Sequence, residues 1–135
     1  ERFFIGVSER TNEAGAEQLA MLVNRFGYTS SLIDIRHINS LLHLKSGLAY
    51  LGENRLAVID ELVKEDSLSG FELVTVDPRE NYAANCIRVN DYVLIAAGYP
   101  AFEKTLRDLG YKTFPLAMTE FQKMDGGLSC LSLRF

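Results

Sequence analysis

The order in which apolar segments follow one another constrains this chain more than any other feature. Strand-length apolar runs alternate with helical patterns, and the succession strand–strand–helix–strand recurs with a period of about 40 to 45 residues. The repeat is architectural, without strong residue-level self-similarity. "FFIGVS" (Phe3–Ser8) reads as a short strand. In "ERTNEAGAEQLAMLVNRFG", Ala16, Leu19, Ala20, Val23 and Phe26 share a helical spacing and predict an amphipathic helix. Thr11 or Asn12 can cap it, Glu13 suits the positive end of its dipole, and Gly27 suits the position just past its end. "YTSSLIDI" (Tyr28–Ile35) reads as the returning strand.

A second unit follows. "LLHLKSGLAYLG" (Leu41–Gly52) and "RLAVID" (Arg55–Asp60) predict two strands joined by a turn at Gly52-Glu53-Asn54. "ELVKED" is a short helical piece, and "FELVTVD" (Phe71–Asp77) is a strand stopped by Pro78. In the third unit "NCIRVN" (Asn85–Asn90) and "YVLIAAG" (Tyr92–Gly98) form a hairpin around Asn90-Asp91. Pro100 opens a helix in which Phe102, Leu106 and Leu109 recur up to Gly110. "YKTFPLAM" returns as a strand, Thr119–Gln122 has the pattern of a capping box, and "GLSCLSLRF" reads as a last strand.

A length of 135 residues suits one domain or part of one. Hydrophobic residues at 47% and charged residues at 24% exclude a disordered chain. The net charge of −4, without any Lys/Arg-rich run, gives no reason to expect nucleic acid or an anionic membrane as partner. No apolar run approaches the roughly 18 residues of a membrane span. The two cysteines, Cys86 and Cys130, make no disulfide framework and no CxxC, and His37 and His43 are too far apart to share a helix face. Free thiols in a reducing, cytoplasmic setting are expected. The chain opens on Glu1-Arg2 and runs straight into "FFIGVS" with no leader, which reads as a start in the middle of something longer.

Three residues are candidates for chemistry. Cys130 follows an acidic glycine turn in "MDGGLSCLSLRF", where Gly126 and Gly127 let backbone approach a ligand closely. It is either a small buried hydrophobe or a nucleophile, and as a nucleophile it needs a lowered pKa or a nearby base. In "LLHLKSG" strand alternation sets His43 opposite Leu42 and Leu44, toward a cleft; His37 reads as a loop histidine. Arg10 in "SERTNEAG" stands between a strand and a helix N-terminus, where a guanidinium and free N–H groups can grip a carboxylate, or else it is a solvated surface residue. Cys86 in "AANCIRVN" reads as a packed strand residue.

Taken in order, "GVSERTNEAGAEQLA", "LLHLKSGLAYLG", "ENYAANCIRVN" and "MTEFQKMDGGLSCLSLRF" resemble the C-terminal half of the dimethylarginine dimethylaminohydrolase family, over nearly all of the chain. The family belongs to the guanidine-modifying superfamily, with arginine deiminases and amidinotransferases. The resemblance implies an α/β fold: residues 1–135 would be the C-terminal portion, about half, of a five-bladed, pentein-like α/β-propeller of ββαβ units. It implies that Cys130 is the nucleophile and His43 the acid–base. It places Arg10 on the substrate carboxylate and the Met124 carbonyl at the substrate's amino-acid end. The substrate would be a small guanidine, with no metal or organic cofactor. Deiminases and amidinotransferases usually carry His before the nucleophilic Cys; Ser129 in that place favours the dimethylarginine branch.

The family's guanidinium-binding carboxylates lie in the N-terminal half, so Asp77, Glu80 and Asp125 take no such role, and Asp125 reads as a turn former. Half of a closed propeller exposes strand edges, so association with the missing half, or self-association, is expected, and the 135-residue chain alone is expected to be inactive or nearly so. Two other readings stay open: a deiminase-like hydrolase of another guanidine, and a non-catalytic binding domain of the same fold.

Overall fold

The strand pairs fall where the apolar pattern puts them. The computed structural model describes residues 1–133. These divide into two units, one of residues 1–44 and 64–69, the other of residues 45–63 and those from 70 onward.

In the first unit β1 (Arg2–Val7) and β2 (Thr29–Asp34) are parallel, with Ile5 opposite Leu32 and Gly6 opposite Ile33. A parallel pair needs a crossover, and α1 (Glu13–Arg25) provides it. Asn12 is the cap: its side chain accepts the Gly15 N–H at 2.9 Å. Gly27, with φ of 83°, ends the helix as its sequence position implies. Ile5, Val7 and Ala16 form the core of this layer, with Ala20 packed against them.

The apolar face of α1 is narrower than the spacing suggests. Ala16 and Val23 are buried, but Leu19 is exposed and Phe26 is 73% exposed. At about 100° per residue Leu19 and Phe26 point roughly 60 to 80° away from Ala16. A two-stranded sheet covers only the central stripe.

In the second unit β3 (Leu48–Gly52) runs antiparallel to β4 (Arg55–Ile59), and β5 (Glu72–Val76) is parallel to β4. The same plan returns in β6 (Ile87–Val89), β7 (Tyr92–Ala96) and β8 (Lys112–Leu116), with α2 (Pro100–Asp108) as crossover. The hairpin turns take left-handed backbone at Gly52, Glu53 and Asn54, and at Asn90. Leu56, Ala57, Val58 and Ile59 are all buried, as befits a middle strand covered on both faces. The β4–β5 link contains 3-10 turns at Asp60–Leu62 and Asp66–Leu68 where the short helical piece was expected.

Three expectations change. The strand expected from Leu41 begins only at Leu48, because Leu44–Ser46 is a 3-10 turn. The Thr119–Gln122 pattern forms α3 (Thr119–Gln122) without a capping box: Met118 holds the cap position and no side chain closes it. The last strand is replaced by a 3-10 turn at Leu128–Leu131, closed by the Cys130 N–H donating to the Gly127 carbonyl at 3.0 Å. Leu128 is drawn into a cluster with Ala96 and Met118, and that inward pull bends the segment. Arg134 and Phe135, the end of the expected strand, lie outside the described residues. Among the described residues no helix is long and apolar enough to cross a membrane.

Candidate active site

Each candidate residue follows the carboxyl end of a parallel strand pair, the place where open α/β sheets leave room for ligands. In the first unit, β1 ends at Val7 and a tight turn follows. Ser8 and Thr11 exchange backbone hydrogen bonds of 2.9 and 3.3 Å, and the buried Ser8 hydroxyl accepts the Arg10 N–H at 3.1 Å. This turn pushes Arg10 outward. It lines an open depression of about 540 Å³ with Ser8, Glu9, Thr11, Asn12, Gly15 and Arg36. Arg36 is occupied by Glu13 and Asp34, whereas among the described residues Arg10 makes no ion pair. Among the described residues its guanidinium is thus the unpaired cation of that depression.

His43 belongs to the same unit and does not sit in a strand. It lies in a bend, exposed, just before the 3-10 turn. The anchor is its neighbour: Leu44 is buried, and a β-carbon built on Gly6 in the middle of β1 would stand 2.8 Å from the Leu44 β-carbon. Only a glycine lets Leu44 pack so closely on the strand. Gly6 therefore positions the His43 segment, a role that nothing in "FFIGVS" announces.

Cys130 and Met124 belong to the second unit, past the ends of β7 and β8. Cys130 is exposed and free; Cys86 is free and buried, and burial pushes its thiol up to about 12. Met124 is 84% exposed, and among the described residues its carbonyl accepts no hydrogen bond. Asp125 takes φ of 56°, which makes it the turn former expected. The Lys45 ammonium reaches the Ser129 carbonyl at 3.5 Å, one residue from the thiol. The Ser129 hydroxyl is buried and has no partner among the described residues.

The space at the paired glycines is used differently from expectation. A β-carbon on Gly127 would lie 2.1 Å from the Asn85 side-chain nitrogen, and one on Gly126 would lie 3.0 Å from the Phe121 carbonyl. Protein atoms, not an open approach, occupy those places. Asn85, which the sequence reading treated only as a strand end, is 4% exposed and accepts the Ser129 N–H at 2.9 Å. Tyr82 donates to the Gly126 carbonyl at 2.6 Å. A buried asparagine next to two alanines in "NYAANC" was the available signal.

The acidic residues near this loop are engaged locally. Asp77 caps the turn Pro78–Ala84 and pairs with Arg79, and Glu80 accepts the Ala101 and Phe102 N–H groups at 3.2 and 2.7 Å. Among the described residues no cluster of three His, Cys, Asp or Glu could hold a metal ion.

No protein-family model matches the sequence. Over all 135 residues the chain is 40% identical to N(G),N(G)-dimethylarginine dimethylaminohydrolase of Pseudomonas aeruginosa, and covers 52% of it. The resemblance to the dimethylarginine dimethylaminohydrolase family thus spans the whole chain. The chain is about half the length of the curated relatives it matches. A solved structure of the P. aeruginosa protein, a cysteine-to-serine variant complexed with citrulline, matches 99% of this chain and 51% of its own, with a TM-score of 0.92 at 40% identity. SxtG, an amidinotransferase of Microseira wollei, shares the fold at 18% identity with a TM-score of 0.83, over 98% of this chain and 43% of its own. The architecture is therefore part of a pentein-type α/β-propeller: β6–β7–α2–β8 is a complete ββαβ unit, β3–β4–β5 has 3-10 turns in place of the helix, and β1–α1–β2 pairs two strands around a helix.

Proposed function

We propose that this chain is the C-terminal portion of a dimethylarginine dimethylaminohydrolase-like enzyme, which hydrolyses N-methylated arginine to citrulline and a methylamine. One observation carries the reading. Solved relatives at 40% identity include a cysteine-to-serine variant with citrulline and a histidine-to-glycine variant with an S-methyl-L-thiocitrulline adduct. The interval between that histidine and that cysteine equals the interval from His43 to Cys130.

In this reading the Cys130 thiolate attacks the guanidinium carbon. The bond from that carbon to the methylated nitrogen breaks, and His43 gives the departing amine its proton. The thiouronium left on Cys130 is attacked by water, whose proton His43 takes. The carbon–sulfur bond then breaks, citrulline leaves and the thiolate is restored. A cationic substrate favours the thiolate by attraction, and an imidazole can both give and take the proton that moves in the two halves of the reaction. Arg10 grips the α-carboxylate with a guanidinium that makes no ion pair among the described residues, and the Met124 carbonyl receives the α-amino group. The residues that fix the guanidinium belong to the N-terminal half, with which this chain associates. Two free thiols suit a reducing, cytoplasmic setting.

The test is turnover by the full-length gene product with dimethylarginine, monomethylarginine, arginine and agmatine. Citrulline from the methylated arginines, abolished by Cys130→Ser, is expected. Turnover of arginine alone would move the assignment to a deiminase, against which Ser129 stands. No turnover, with both cysteines labelling slowly and equally, would make the chain a binding domain.

A further inference from the structure

The loop that carries Cys130 has little structure of its own. It runs from the left-handed Asp125 through two glycines into a single 3-10 turn, and Cys130 itself is exposed. An exposed thiol on a glycine-rich loop has no intrinsic reason to hold one direction. What holds it comes from a segment some 45 residues earlier in the chain, the 3-10 turn Pro78–Ala84 and the Asn85 that ends it.

That segment is itself held at several points. Asp77 caps its start, accepting the Arg79 N–H at 2.9 Å, and Pro78 opens it. Glu80 ties it to the first turn of α2. Ala83, Ala84, Asn85 and Cys86 are all buried. Two side chains leave this base for the Cys130 loop. The Tyr82 hydroxyl donates to the Gly126 carbonyl at 2.6 Å, and its ring packs on Tyr99, 5.8 Å between centroids. The Asn85 side-chain oxygen accepts the Ser129 N–H at 2.9 Å, and the rest of its amide fills the place a Gly127 β-carbon would take, its nitrogen 2.1 Å from that position. Every backbone unit from Gly126 to Ser129 is therefore touched by one of the two or turned inward by Leu128, which is buried against Ala96 and Met118. Burial pushes the Tyr82 hydroxyl up, and Tyr99 and the Cys130 thiol add to this.

We infer that Asn85 and Tyr82 are positioning residues: they clamp the Gly126–Ser129 backbone and so aim the Cys130 thiol, with Gly127 present to admit the Asn85 amide. The clamp acts on the loop backbone and on no reacting atom directly. It rests on the reading of Cys130 as nucleophile, and it accounts for the two glycines, one of which makes room for Asn85 while the other lies under the Phe121 carbonyl. Misplacing a reacting group by about 1 Å is enough to cost roughly a hundredfold in rate. A clamp of this kind acts on the chemical step and leaves substrate binding to other groups.

The experiment uses Asn85→Ala, Gly127→Ala and the two combined, in the full-length gene product. Each single substitution is expected to lower kcat by about 10- to 100-fold with KM held within about twofold. The combined variant is expected to lose no more than the worse single one, because alanine at 85 vacates the space that alanine at 127 needs. Exchange of the Ser129 amide is expected to quicken at least about tenfold in Asn85→Ala, since its acceptor is gone. Single variants with an unchanged kcat, losses that follow the unfolded fraction, or losses that multiply in the combined variant would each overturn the clamp.

Where Asn85→Ala does not fold, Asn85→Asp keeps the oxygen acceptor and the volume. It is expected to preserve Ser129 protection and to move the acid limb of the kcat–pH profile upward, because a carboxylate beside the loop disfavours the thiolate. An unmoved profile would sink the proposal. If the unsubstituted protein turns over no methylated arginine, it is the proposed function that fails. Exchange then decides only whether Asn85 holds the loop backbone: faster Ser129 exchange in Asn85→Ala upholds that part, equal exchange refutes it.

Discussion

The Arg88 guanidinium reaches the Leu51 carbonyl at 2.8 Å by passing directly over the α-carbon of Gly52. It thereby joins the edge of β6 to the edge of β3, while its NH2 group lies 3.6 Å from Glu53. Gly52 carries two demands at once, a φ of +82° and a place where a β-carbon would be 1.7 Å from the Arg88 side chain. Gly52→Ala is expected to destabilise the chain by about 2 to 4 kcal/mol, from the left-handed backbone and the displaced charged hydrogen bond together. Arg88→Ala alone should cost less, and the two losses should not add. Urea midpoints measure this; a Gly52→Ala effect below about 0.5 kcal/mol would contradict it.

The two thiols should separate cleanly. Iodoacetamide at pH 8 is expected to modify Cys130 and spare Cys86 until the chain unfolds, read by peptide mass. The raised value of Cys86, about 12 against an ordinary 9, means that the fold favours its neutral form. Its contribution to stability is therefore complete below about pH 9 and is lost as pH rises toward 12. Equal labelling of both cysteines in the folded chain would refute the assignment.

The start of α2 depends on a residue outside the helix. Tyr99 at the cap position offers no side-chain bond, and Glu80 supplies two acceptors in its place. Glu80→Ala should cost about 1 kcal/mol and speed exchange of the Phe102 amide, with Glu80→Gln intermediate. An unchanged Phe102 exchange rate would show that the cap is dispensable.

Acid should weaken the fold in a defined window. Arg36, through its side chain and then its N–H, holds the Asp34 carboxyl at about 2, and Arg79 does the same for Asp77. Both values lie below the ordinary 3.8, so the stability these pairs contribute is present above that pH and is lost as pH falls through about 2. Both pairs are at the surface, so the effect is small and salt-sensitive. Asp34→Asn with Asp77→Asn should flatten the stability–pH curve between those limits; an unchanged slope would assign acid loss elsewhere.

Arg10→Ala should leave stability unchanged, since among the described residues its guanidinium makes no ion pair. In the full-length gene product it is expected to raise KM about 10- to 100-fold, the loss of one charged hydrogen-bond pair. A normal KM would remove Arg10 from the substrate carboxylate.

Much of the architecture was legible because it rests on local patterns. The hairpin at Gly52-Glu53-Asn54, the turn at Asn90 and the helix ends at Gly27 and Gly110 all follow from residues that tolerate left-handed backbone. The two misread strands share one cause. "LLHLKSG" alternates like a strand and "GLSCLSLRF" does too, yet both contain a leucine, Leu44 and Leu128, that packs inward against partners distant in sequence. Alternation records which residues are apolar. It does not record whether a neighbouring strand is there to pair with them.

The alternation of strands and crossovers, the hairpin turns and the family resemblance were legible in the sequence, and that resemblance made Cys130, His43, Arg10 and Met124 the candidates for chemistry. The order of elements follows from apolar period and turn residues, which are short-range properties; the candidate residues follow from the motifs that carry the resemblance. Only the tertiary structure decided that Gly6 exists for Leu44, that Gly127 exists for Asn85, and that Cys130 stands on a turn instead of a strand. A glycine shows where a side chain is missing; the atom that fills the space comes from far along the chain, and packing alone brings it there.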